Sequence, residues 1–146
     1  MSRIHLFFLI VTILLTCIRS SAVADDPEDI LVVANVSVAQ TSIGLEELRT
    51  IFLKIRTSWH SGGKVVPINP KDGSALRRQF QEKVLGMSDN EEKSYWEKQK
   101  ITKGIEPPPE FANTLKAVFR LKGSVSYIYR SQYREGVSKI LYVLPR

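Results

Sequence analysis

A β-branched run, Val65-Val66-Pro67-Ile68, passes through a polar turn at Asn69 to Gly73 and straight into an amphipathic helix that starts at Ser74. A strand feeding a helix in this way is part of a βα unit, and chains built from such units fold as helix-flanked sheets. Ser74 stands where an N-cap belongs. Arg77 and Arg78 fall in the first turn of the helix, where acidic residues are the usual choice. A helix N-terminus carries unsatisfied N–H groups and positive dipole, so two arginines there concentrate positive charge and would suit an oxyanion ligand. The same residues also describe an ordinary strand–turn–helix with a capping serine, and local pattern alone does not separate the two.

Residues 1–24 read as a segment apart from the fold. Arg3 supplies a basic start, Leu6 to Leu15 is almost unbroken apolar sequence, and Ala22-Val23-Ala24 has the small-x-small pattern of a signal-peptidase site. That is the layout of a cleaved secretory signal, and its apolar core is too short to span a bilayer comfortably. Residues 1–24 are therefore expected to leave as a signal peptide and residues 25–146 to form one domain, secreted to the periplasm. Cys17, the single cysteine, would leave with the signal, so the mature chain has neither a disulfide framework nor thiolate metal ligands. Such a domain depends on its hydrophobic core, and its length is sufficient for one.

The formal net charge of +6 falls when Arg3 and Arg19 are lost with the signal. The remaining excess is spread along the chain without an arginine-rich tract or aromatic-basic interleaving, which argues against a nucleic-acid partner. His60, the one histidine left, sits beside Trp59 in a glycine-containing turn, a surface position more than a ligand position. No HExxH, Ser/His/Asp set or paired-metal spacing occurs, so neither an enzyme nor a cofactor is expected.

Ile30 to Val33 predicts a buried strand, since its apolar residues run without alternation. Gly44 opens a helix with Leu45, Leu48, Ile51, Phe52 and Ile55 at helical spacing, and Trp59 to Lys64 is a turn. The helix from Ser74 to Leu85 buries Leu76, Phe80 and Val84 and ends at Gly86. Ser88 and Glu91 form a capping box for a third helix, with Tyr95 and Trp96 as packing anchors. Ile101 to Ile105 predicts a short strand, and Pro107-Pro108-Pro109 an extended connector. Asn113 caps a helix closed by Gly123, and Val125 to Tyr129 and Ile140 to Leu144 are closing strands. Tyr127, Tyr129 and Tyr133 fit a core better than a ligand wall.

Strands alternating with helices predict an α/β fold with a mostly parallel sheet flanked by helices. In such sheets ligands lie beyond the carboxyl ends of the strands, where helices begin. Gly44, Ser74 and Asn113 are the helix starts that could converge there, and Ser74 is the one with paired arginines.

In order along the chain, LEELRTIFL, W…GGKVVPIN, GSALRRQFQEKVLGMS, YW and KGSVSYI resemble the periplasmic phosphate-binding proteins of ABC transporters. The resemblance runs from about Val32 to Val143 and implies one lobe of a periplasmic-binding-protein-like (PBP-like) fold. It also implies a phosphate or related oxyanion site on Asn69, Lys71, Gly73, Ser74, Ala75 and Arg77. Ser74 matches the family's serine, but Ala75 and Leu76 replace its Gly-Thr, and Asn69 or Pro70 stands in the region of its arginine. Lys71 or Arg77 is the compensating cation on this reading. Lys54 replaces the glycine that closes the family's IFxG motif. Proteins of this family have two lobes, about twice this length. The resemblance thus implies a homodimer or a partner, an ABC permease or an envelope protein, for a lobe that offers half a cleft. An alternative is an interaction module that kept the lobe and lost ligand transport.

Overall fold

The computed structural model describes residues 28–145. The expected signal peptide, with Cys17, His5 and the cleavage point after Ala24, lies outside the described residues. Strand β1 (Ile30–Ala34) is buried along its whole length. Ile30, Val32 and Ala34 enter the main core, while Leu31 and Val33 enter a smaller cluster. Alternate side chains of a strand point to opposite faces, so an unbroken apolar run is what a doubly covered strand requires.

Four strands make the main sheet in the order β2-β5-β1-β6, where β2 is Val66–Pro67, β5 is Ser124–Tyr129 and β6 is Lys139–Leu144. The α/β class and the helix-flanked sheet agree with the sequence reading. The mostly parallel pairing does not. β1 runs antiparallel to both β5 and β6, and only β2 pairs parallel, with β5. Central β1 is approached by two later strands running the other way, and no local pattern in an apolar run encodes the direction of so distant a neighbour. A second sheet pairs β3 (Asn69–Pro70) with β4 (Glu110–Phe111) in parallel, so the polar turn begins as a short strand.

Helix α1 (Leu45–Phe52) buries Leu48, Ile51 and Phe52 and stops before Lys54, whose φ is +53°, leaving Ile55 exposed instead of extending the stripe. Helix α2 (Ala75–Phe80) is continued by a π-helical turn, Gln81–Leu85, ending at left-handed Gly86. This turn keeps Val84 and Leu85 both buried. Helix α3 (Asp89–Lys103) carries the expected Ser88/Glu91 capping box. The strand expected at Ile101 to Ile105 is corrected: residues 101–103 are the last turn of α3, Gly104 is its left-handed cap, and Ile101 is 85% exposed. The β-branched Ile101 and Thr102 suggest a strand, but helix-propensity differences of a few tenths of a kcal/mol do not break a helix capped at both ends.

Helix α4 (Thr114–Arg120) has Asn113 as its cap, whose Oδ1 accepts from the Lys116 amide at 3.0 Å. The core centres on three rings: Phe80 stacks on Tyr127 at 3.7 Å, and Phe52 meets both edge-on at 4.8 and 5.4 Å. Tyr127 is therefore a core ring.

Candidate functional site

The Ser74 loop leaves the main sheet just past β2, where both backbone groups of Ile68 are held to β5. The Ile68 amide donates to Val125 O at 2.9 Å, and Ser126 Oγ donates to Ile68 O at 2.7 Å. Asn69 is buried; its Oδ1 accepts from the Tyr127 hydroxyl at 3.3 Å, and its amide donates to Pro109 O at 2.9 Å. Both of these bonds turn it away from solvent. Lys71 is exposed. Gly73 takes φ +74°, a conformation a Cβ disfavours, and so brings the chain round into the helix. Its amide donates to Asp72 Oδ1 at 2.8 Å.

Ser74 caps α2 as the sequence predicts, with Oγ accepting from the Arg77 amide at 3.2 Å. The hydroxyl proton remains available to a ligand. The amides of Ala75 and Leu76, in the first turn, take no partner among the described residues. Ala75 itself is exposed. Gly73, Ser74, Ala75 and Lys71 thus share one solvent-facing loop, with Arg78 closing it through a 3.0 Å bond from Nη1 to Gly73 O.

Arg77 turns the other way. Its side chain is buried: Nη1 donates to the Glu110 carboxylate, Nη2 lies 3.5 Å from Glu92 Oε1, and Nε lies 3.9 Å from Asp72 Oδ1. Nη1 also reaches Pro70 O at 3.4 Å. Burial acts to lower its pKa, but the hydrogen bond to Glu110 and the charge of Glu92 outweigh it and hold the guanidinium above its usual range. Burial pushes the Tyr127 hydroxyl well above the usual phenol range, with Arg77 opposing the shift. The first-turn arginines therefore do not act together: Arg78 faces solvent, whereas Arg77 is neutralised inside.

The carboxylates around Arg77 come from three places. Glu110 arrives on β4, positioned by the Pro107-Pro108-Pro109 connector, and its other oxygen accepts from the Asp72 amide at 3.2 Å. Glu92 comes from α3, and Trp96 Nε1 donates to it at 3.4 Å. An adjoining groove of about 510 Å³ is bordered by Asp72, Gly73, Arg77, Glu92 and Trp96. Sequence reasoning missed Glu92 and Glu110. The spacing of Glu92 to Trp96 was a usable signal, because residues four apart share a helix face and Trp96 already read as buried. Glu110 gave none. Among the described residues no group of three or more His, Cys, Asp or Glu converges as a metal site would require.

No family model and no curated protein matches the chain. Solved structures do. A phosphate ABC transporter substrate-binding protein from Clostridium perfringens, with bound phosphate, superposes at TM-score 0.60 and 19% identity, over 78% of this chain and 44% of that one. An ABC-type phosphate transport receptor from Vibrio cholerae superposes at TM-score 0.62 and 16% identity, over 78% and 45%. PstS from Borrelia burgdorferi does so at 0.60 and 12%, over 78% and 46%. The fold is one lobe of a PBP-like structure. The lobe spans less than half the length of each of these chains. At such identities the likeness carries the fold alone, so the role of the Ser74 loop rests on its own geometry.

Proposed function

We propose that this chain is an exported, periplasmic, non-catalytic lobe that binds phosphate or a related small oxyanion at the Ser74 loop, serving ABC-type uptake or sensing. The observation that carries the reading is the solvent-facing start of α2. There the amides of Ala75 and Leu76 and the Ser74 hydroxyl remain uncommitted between exposed Lys71 and Arg78. A PBP-like fold supports it. Asn69 and Arg77 contribute by shaping the loop from inside, and Gly73 by its turn.

Arg77 lends no free charge to this site. A hydrogen bond to a charged group is worth about 1.5–3 kcal/mol, so the loop binds phosphate roughly ten- to a hundredfold more weakly than one with a free arginine. Isothermal titration of the chain with phosphate and with sulfate tests this. Saturable heat at millimolar ligand is expected, reduced by Ser74→Ala and by Lys71→Ala with Arg78→Ala. Absence of heat, or heat indifferent to both variants, refutes the reading.

A second reading has its own observation, the sequestration of Arg77 by Glu110, Glu92 and Asp72. A lobe whose buried cation serves packing fits an interaction module that lost ligand transport, with an ABC permease or an envelope protein as its partner. Affinity capture from an envelope extract, with no phosphate response in titration, favours this reading over the first.

A further inference from the structure

Three chain reversals meet at the end of the sheet remote from the Ser74 loop. Val36 and Ser37 turn out of β1, Gly62 and Gly63 lie in the turn leading towards β2, and Leu121 to Gly123 join α4 to β5. They are tied together. Asn35 Nδ2 donates to Val118 O at 2.7 Å and Phe119 O at 2.9 Å, and the Gly123 amide donates to Ser37 Oγ at 3.2 Å. Trp59 Nε1 donates to Gly123 O at 3.0 Å.

Apolar side chains stand out at these reversals and on the last turn of α4 where water should be. Phe119 is 55% exposed, Val36 60% and Leu121 38%. Cations surround them: Lys116 and Arg120 flank Phe119 on the outer side of α4, and Lys122 and Lys64 border the neighbouring cleft beside Gly123. None of the four makes an ion pair among the described residues, as holds for most of the described cations; what sets these apart is that they border exposed apolar side chains. No carboxylate borders that cleft.

We propose that this end of the lobe docks on an anionic lipid surface. Loop tips and a helix end that carry single apolar side chains among unpaired cations match a bilayer interface, where Phe119, Val36 and Leu121 would enter the acyl boundary and the four cations would meet headgroup phosphates. An acidic protein would satisfy the cations, but a stable protein contact needs a broad complementary face, and three apolar side chains are a small one. The site stands apart from the Ser74 loop, at the opposite end of β2, so it does not depend on oxyanion binding.

Flotation of the purified chain with vesicles of phosphatidylethanolamine and phosphatidylglycerol, and separately with phosphatidylcholine, tests the assignment. The chain is expected to float more with the anionic vesicles than with phosphatidylcholine, and high salt is expected to remove that excess. Each basic residue near such a surface is worth about fivefold in partition, so Lys116→Glu with Lys122→Glu is expected to lower binding at least about 25-fold. Phe119→Ser is expected to lower it about tenfold. Any pull from Leu6 to Leu15 acts on both vesicle types and on parent and variants alike, so at limiting lipid the quantity read is the excess of anionic over phosphatidylcholine binding and its loss in the variants. Near-ultraviolet circular dichroism, dominated by Trp59 and Trp96, verifies that the variants are folded. Equal binding to both vesicle types, unchanged binding by the folded variants, or no flotation overturns the proposal. So does capture by a poly-glutamate resin from a chain that ignores the vesicles.

Discussion

Arg77 shows how one side chain can change the meaning of a motif. From the sequence it faces outward with Arg78; in the fold it holds β4 and α3 to the start of α2 through Glu110 and Glu92. Removing a partner from a buried pair leaves the other charge uncompensated, at a cost of about 3–5 kcal/mol. Arg77→Ala is therefore expected to lose stability towards that range in urea unfolding, and Glu92→Gln in the same chain to recover part of the loss. An Arg77→Ala chain of unchanged stability that no longer binds phosphate would instead make Arg77 a ligand residue. Gly123 is as constrained. At φ +75° a Cβ would meet Lys64 O at 2.4 Å, so Gly123→Ala is expected to destabilise by more than about 1 kcal/mol in the same assay. The direction of Arg77 was not legible because its partners lie 15 and 33 positions away in the chain.

Caps and apolar spacing made most helices legible, since both act within a few residues. Ser88 and Glu91 bond reciprocally at the start of α3, and Ser88→Ala is expected to cost about 1 kcal/mol. Hydrogen bonds from the Ser88 amide and hydroxyl hold the Glu91 carboxyl below its usual range. Its contribution is complete above the ordinary carboxylate range and is lost as pH falls through the depressed value. The Ser88→Ala penalty in urea unfolding is thus expected to be larger at neutral pH than in strong acid. Helix ends were harder. Ile101 and Ile105 looked like a strand because β-branched residues cluster there, yet the Gly104 cap ends a helix that had not stopped. The short pairing of Asn69–Pro70 with Glu110–Phe111 left no pattern at all, because two-residue strands have no periodicity to read.

One lobe offers one wall of a cleft, and the oxyanion reading leaves the other wall to a second copy or to a partner protein; the first case is the one tested by phosphate in sedimentation. Phosphate is then expected to shift sedimentation equilibrium towards dimer, whereas an unchanged distribution leaves a single lobe holding its ligand at the surface. The sequence by itself determined the buried β1 run, the Ser74 and Ser88 caps, the amphipathic stripes of α1 and α2, and hence an α/β lobe. Those features arise from propensity, capping and burial between near neighbours. Only the tertiary structure decided that β1 lies between antiparallel β5 and β6, and that Arg77 is neutralised while Arg78 is not. It alone gathered the unpaired cations around Phe119. Each of these depends on contacts between distant segments, whose direction and partner no local pattern contains.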